Sequence, residues 1–307
     1  MNVFSVVFTT LFMTTSAQAR DSVAILRSDS LPVYDAPIES FTQALGRPVE
    51  VHDIRGERER ARRITDAFTD DPPVAVLALG AKAAWAAQQY LPTTIPVVYA
   101  QVRDPERYGL DGIHITGIRM DMPPAMVLAQ FRLLAPNVQR VGILLSASNS
   151  DPAVGEAIAA AKDAGLTVRA QRVTSERDVR KTAATMARSV DAIWLLPDPL
   201  VVTPPTFHFI RDQTSRARIP LLAYSETLVD AGALLCVAPD AKAIGIQAAH
   251  TIRTILDDGT TAGTIAPVAP NSARVVLNVD VQQAIGLRID PMLMDFVDQT
   301  VQEKRER

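Results

Sequence analysis

The residues best able to do chemistry together are Ser28, Gly80, Lys82, Gln101, Ser146, Asn149, Asp198, Tyr224, Ser225 and Glu226. Each follows an apolar run that reads as a buried strand. Parallel α/β sheets gather ligands outside the carboxyl ends of their strands, so these positions converge on one place. Hydroxyls, an amide and carboxylates there can hydrogen-bond a small polar ligand. Asp198 and Glu226 could pair an ammonium group, and Tyr224 offers an aromatic face. Lys82 follows a strand-to-helix turn, where helix amides attract anions. Taken singly, each polar residue could simply cap a helix, Ser225 and Asn149 most readily. Lys82 alone could cap or line the cleft rim. A binding reading rests on their convergence, since ligand sites set a few polar groups in an apolar pocket.

Catalytic signatures are missing. The histidines are His52, His114, His208 and His250, and none makes an H-x-x-x-H or H-E-x-x-H spacing. There is no G-x-S-x-G elbow, no Walker A loop and no G-x-G-x-x-G. The single Cys236 lies in the apolar run Ala233 to Val237 and reads as a small buried hydrophobe. These observations argue against an enzyme and require no cofactor and no metal. A hydrolase or lyase using Asp198 and Glu226 as acid and base is a weaker alternative.

The elements that position these residues alternate along the chain. Strands are expected at 23–27, 48–52, 74–79, 95–100, 115–118, 140–145, 166–173, 191–196, 219–223 and 274–278. Helices are expected between them, at 34–45, 56–68, 81–90, 123–134, 151–164, 176–188, 203–215, 225–230, 241–257 and 280–285. Unbroken apolar strands fit parallel sheets covered on both faces. A strand-and-helix unit occurs twice, at Val74 to Gly80 and again at Arg140 to Asn149. This predicts an α/β protein with two Rossmann-like lobes, parallel sheets flanked by helices, and a ligand cleft between the lobes. The first lobe takes residues 20–118 plus 241–262, and the second takes 119–240 plus 263–307. Crossovers near 118–121, 238–242 and 260–273 would act as hinges.

Bulk properties agree. The 307 residues suit two domains of ordinary size. Net charge is −3, and the arginine-rich segment Arg55 to Arg63 is interleaved with Glu57 and Glu59. That segment reads as a solvated helix face, and no nucleic-acid partner is indicated. Residues 1–19 are apolar or hydroxylic and end in Ala17-Gln18-Ala19, an A-x-A cleavage pattern. They read as a signal peptide, although no Lys or Arg precedes the apolar core. A soluble periplasmic protein is therefore expected.

An ordered series of segments carries a family resemblance. It runs from Leu79-Gly-Ala-Lys-Ala-Ala84 and Ile95-Pro-Val-Val-Tyr99 through Asp104-Pro105, Gly109-Leu110 and Ile115-Thr-Gly-Ile118. It continues with Arg140-Val-Gly-Ile-Leu144, Leu196-Pro-Asp198, Ile219 to Glu226, Gly232-Ala-Leu234, Ile244 to Ala249 and Ala284-Ile-Gly-Leu287. In order and spacing this resembles the ABC-transporter substrate-binding family that includes tryptophan/tyrosine-type binding proteins. The resemblance implies a type-I periplasmic-binding-protein fold that closes on a small amino-acid-like or other polar solute. It also implies a membrane permease as partner. Gly80, Asp198, Ser225 and Glu226 carry over as ligand contacts by motif; Ser28, Gln101, Ser146 and Asn149 carry over by strand position. Two departures fall in the expected pocket. Ala81-Lys82 stands where family members often have Thr-Pro or Ser-Pro, and the Ser28 to Val33 loop lacks a His-Pro. The resemblance thus implies the family, and these departures leave the identity of its ligand open. A periplasmic sensor that feeds a membrane receptor or histidine kinase is the alternative use of the same fold.

Overall fold

The computed structural model describes residues 21–148 and 152–302. The expected signal segment and Asn149 lie outside the described residues. In the first lobe, β1 (Val23–Arg27), α1 (Asp35–Leu45), β2 (Val49–Asp53), α2 (Arg58–Asp70), β3 (Ala75–Leu79), α3 (Ala81–Tyr90), β4 (Val97–Val102) and β5 (Ile115–Arg119) follow one another. Their strands make one parallel sheet in the order β2-β1-β3-β4-β5. Both faces of its inner strands are covered, which is why they run unbroken apolar through Val23–Leu26, Ala75–Leu79 and Val97–Ala100 and turn polar only near their carboxyl ends, at Arg27 and Gln101. Val23, Ile25, Leu77, Leu79 and Val98 pack with Phe41 and Leu45 of α1. The alternate residues Ala24, Leu26, Val76, Ala78 and Tyr99 pack with Phe68 of α2 and the alanines of α3. Those alanines let α3 lie close to the sheet, and Tyr99, fully buried, lays its ring over Gly117 of β5, where a side chain would collide with it.

The second lobe repeats the plan with α4 (Pro124–Leu134), β6 (Arg140–Ser146), α5 (Pro152–Asp163), β7 (Thr167–Val173), α6 (Glu176–Met186), β8 (Ala192–Trp194), α7 (Pro204–Ala217), β9 (Leu221–Ala223), α8 (Glu226–Asp230) and β10 (Leu235–Pro239). After α9 (Ala241–Asp257), β11 (Ala273–Asn278), α10 (Val279–Ile285) and β12 (Gln299–Val301) complete it. The second sheet runs β12-β11-β10-β9-β8-β6-β7, so β7-β6-β8-β9-β10 reproduces the order of the first lobe. Among its pairings, β11 against β10 is antiparallel. β12 lies outside the strands expected from sequence: three residues, only partly buried, carry no alternation to read.

α9 belongs to the first lobe, where Gly245 meets α1. A Cβ at Gly245 would lie 2.1 Å from Ser40 Oγ and 2.3 Å from the Pro37 carbonyl oxygen, so only glycine allows this approach. The Ser40 hydroxyl donates to the Lys242 carbonyl at 2.9 Å across the same junction.

One boundary differs from expectation. The chain does not enter the second lobe at 263. It continues along β5, with Gly263 N donating to Ile113 O, Val268 N to Gly117 O and Arg119 N to Val268 O, each at 2.9 or 3.0 Å. These ladder bonds keep 263–268 on the first lobe. The third crossover therefore spans 268–273, beside the second, where Asp240 N donates to Ser272 O.

The arginine-rich helix starts at Arg58 rather than Gly56, because Arg55 and Gly56 both take positive φ. Arg62 pairs with Asp66 one turn on. Arg58 lies 5.1 Å over the Trp85 ring and donates to Tyr90 Oη at 2.7 Å, which ties the charged face to α3.

Candidate functional site at the carboxyl edges of the two sheets

A strand order of 2-1-3-4-5 reverses direction between its second and third positions, and ligands favour that crevice. In the first lobe the reversal falls between β1 and β3, where Ser28 and Gly80 sit. In the second it falls between β6 and β8, where Ser146 and Asp198 sit. The structure brings each pair together. Ser28 is buried, and its Oγ accepts from Ala83 N in the first turn of α3 at 2.9 Å. Gly80 takes φ +86, and a Cβ there would lie 2.3 Å from Tyr34 Oη and 2.6 Å from Ser28 Oγ. Glycine is thus required twice over at this turn, by conformation and by space.

Asp198 is 2% exposed and binds backbone rather than presenting a free carboxylate. Its Oδ2 accepts from Ser146 N at 2.8 Å; its Oδ1 accepts from Leu200 N and Val201 N at 3.0 and 3.1 Å. The carboxylate joins the β6 end to the turn after β8, a bracing role beside the ammonium pairing expected of it. Ser146 is held by the same bond, and Ser148 Oγ stands 3.5 Å from Ser146 Oγ.

The remaining residues lie around these two centres. Lys82 is exposed and reaches over the loop between β2 and α2, its Nζ 2.7 Å from where a Gly56 Cβ would stand. Gln101 interrupts β4 at φ +55, where the β4–β5 register shifts, and its Nε2 donates to Val33 O at 3.3 Å. Ser225 opens α8 without a side-chain cap bond, contrary to the simplest reading of that serine. Glu226 Oε1 faces Arg274 Nε of β11 at 3.8 Å. Of the two carboxylates an acid–base mechanism would use, one is thus bound by amides and the other pairs with arginine.

Tyr224 carries the contact that joins the lobes. The Arg103 guanidinium, just past β4 of the first lobe, lies 5.6 Å over the Tyr224 ring, just past β9 of the second. The carboxyl ends of the two sheets therefore face each other. One face of the aromatic ring that the sequence offers to a ligand thus lies under the protein's own arginine. Burial pushes the Tyr224 hydroxyl pKa up, and the Arg103 charge opposes that shift.

Sequence reasoning missed Arg103, Tyr34 and the cluster around Asp53. Arg103 stands two residues after Gln101 at the end of an apolar strand, which was the available signal. Asp53 lies 3.3 Å from Arg27 Nη2 and accepts from the Ser30 hydroxyl and, at 2.8 Å, from Arg55 N. Burial would raise its pKa, but the Ser30 and Arg55 hydrogen bonds and the Arg27 charge hold it below the usual carboxylate value. The Tyr34 hydroxyl is raised, chiefly by burial, against a lowering hydrogen bond with Ser28. Cys236 is buried, and burial pushes its thiol up to about 12. Among the described residues, no three His, Cys, Asp or Glu side chains are grouped to hold a metal ion. None of their helices is long and apolar enough to cross a membrane.

Two α/β lobes of matching strand order, with their carboxyl edges opposed and three chain passages between them, define the type-I periplasmic-binding-protein architecture. The profile described as ABC transporter substrate binding protein matches residues 47–301, and the chain belongs to that family of substrate-binding proteins. Among curated relatives, a tyrosine-binding protein of Clostridioides difficile (strain R20291) is 20% identical over 291 residues, covering 89% of this chain and 83% of the relative. A ligand-free, open substrate-binding protein with adhesive properties from Clostridium difficile superposes with a TM-score of 0.75 at 18% identity, covering 92% of this chain and 100% of the other. A domain bound to L-Trp from Streptococcus pneumonia gives 0.58 at 21% identity, covering 92% and 100%.

Proposed function

We propose that this chain is an exported solute-binding protein of an ABC-type uptake system that closes its lobes on a small, polar, amino-acid-like ligand and delivers it to a membrane permease. The observation that carries the reading is the opposition of the two carboxyl edges, with Arg103 of one lobe over Tyr224 of the other. Ser28, Gly80, Lys82 and Gln101 on one side, and Ser146, Tyr224, Ser225 and Glu226 on the other, are the proposed lining. Asp198 supports that lining without contacting ligand. An amino-acid-like solute is favoured by the tyrosine-binding relative and the L-Trp complex. The chain's own Ala81-Lys82 and Leu31-Pro32 turns argue for a side chain other than theirs. The A-x-A pattern at Ala17 to Ala19 supports export to the periplasm.

The test is a thermal-shift screen of residues 20–307 against amino acids, nucleosides, small sugars and organic anions. A ligand at about 100-fold excess over its dissociation constant stabilises by roughly 2.7 kcal/mol. A raised Tm with one or more amino acids supports the reading. No shift with any compound of the panel contradicts uptake of the solute classes tested and favours a sensor with an unusual ligand or one whose signal is a protein partner.

A further inference from the structure

We propose that Arg103 is the positioning residue that sets how far the two lobes stand apart. The inference rests on the hinge-closing reading above and adds a residue to it. Three observations on the described chain converge.

The first is reach. Arg103 belongs to the first lobe, its guanidinium covers Tyr224 of the second at 5.6 Å, and its Nη1 lies 3.3 Å from Asp121 Oδ1. Asp121 sits between β5 and α4, in the first crossover. One side chain thus touches both lobes and the hinge that joins them.

The second is presentation. The β4–β5 register breaks between Tyr99 and Val102, and residues on both sides of Arg103 leave the ordinary backbone regions: Gln101 at φ +55 and Asp104 at φ +50. Neither is glycine. Bulges next to sites re-aim a side chain, and left-handed non-glycine residues persist only where surrounding structure over-determines them. Here the bulge re-registers the strand so that Val102 still pairs with Arg119, and the chain leaves the sheet at Arg103, which reaches across the cleft to Tyr224.

The third is chemistry. A guanidinium stacks on a tyrosine face and still keeps in-plane donors for a carboxylate, which a lysine ammonium could not do in the same geometry. Arg103 uses the ring for one lobe and Asp121 for the hinge at once. Both groups are half-exposed, so the contact is of the size a hinge equilibrium can make and break.

Spin labels placed at exposed Gln89 of α3 and Glu156 of α5 (as cysteines, with Cys236 buried and left in place) report the interlobe distance of the ligand-free protein. In Arg103→Ala and in Tyr224→Leu the distance distribution is expected to move outward, with the ratio of near to far populations falling about fivefold, the effect of losing one partly solvated cation–π contact. Tyr224→Phe, which keeps the ring, should leave the distribution as in the wild type. Unchanged distances in Arg103→Ala, or a shift in Tyr224→Phe equal to that in Tyr224→Leu, would overturn the assignment. The measurement needs no ligand, so its failure is distinct from a failed ligand screen.

Discussion

Asp198 receives three backbone amides on one buried carboxylate, so its removal strands three donors in the interior. Leaving buried groups unsatisfied costs about 1–3 kcal/mol each when partners are lost, less whatever water can replace. Asp198→Ala is therefore expected to lower stability by roughly 3 kcal/mol in denaturant melts. A variant as stable as the wild type but weaker in ligand binding would return Asp198 to the role the sequence suggested. Gly80→Ala should also destabilise, by about 1–3 kcal/mol, because the new methyl meets the Ser28 and Tyr34 hydroxyls at a positive φ. Restoring space with Gly80→Ala in a Tyr34→Phe background should recover only part of that loss, since the φ penalty remains.

At the scale of elements, the α1–α9 junction and the start of β5 each depend on one residue. Gly245→Val would press a side chain on Ser40 and the Pro37 carbonyl, forcing α9 off the first lobe at a cost of about 1–3 kcal/mol or more. Its signature would be a lowered Tm, read calorimetrically. His114, just before β5, is 5% exposed, and neither ring nitrogen has a hydrogen-bond partner. Burial holds its pKa below the ordinary histidine value of 6.5. The unfolded chain then binds more protons than the folded one below about pH 6.5, so unfolding free energy rises with pH in that window. Stability should be full above pH 6.5 and decline as pH falls toward the folded pKa. His114→Leu should flatten this dependence between pH 7 and 5; an unaltered slope would place the acid sensitivity elsewhere.

Across the whole molecule, the alternation of apolar runs and amphipathic segments sufficed to place both lobes, because buried parallel strands need continuous apolar sequence. The position of α9 between two expected crossovers is the sequence signal for its packing against α1. The third crossover was not legible, since residues 263–268 join β5 through backbone bonds that leave little trace in side-chain type. The same limit applies to the site. Chain order located the strand ends that carry Ser28, Ser146 and Asp198, but types alone could not tell a ligand contact from a brace. Asp198 has the same composition signal in either role, and its three amide partners, which argue for the brace, leave no trace in sequence. Arg103 escaped notice because its meaning lies in Tyr224, a residue of the other lobe more than a hundred positions away. The central claim is that the lobes close on a ligand held between them. It is tested most directly by small-angle X-ray scattering of residues 20–307, alone and saturated with whichever amino acid (L-tyrosine and L-tryptophan included) gives the largest thermal shift. Closure predicts a smaller radius of gyration and a shortened maximum dimension in the saturated sample. Identical scattering curves with and without the bound amino acid would contradict it.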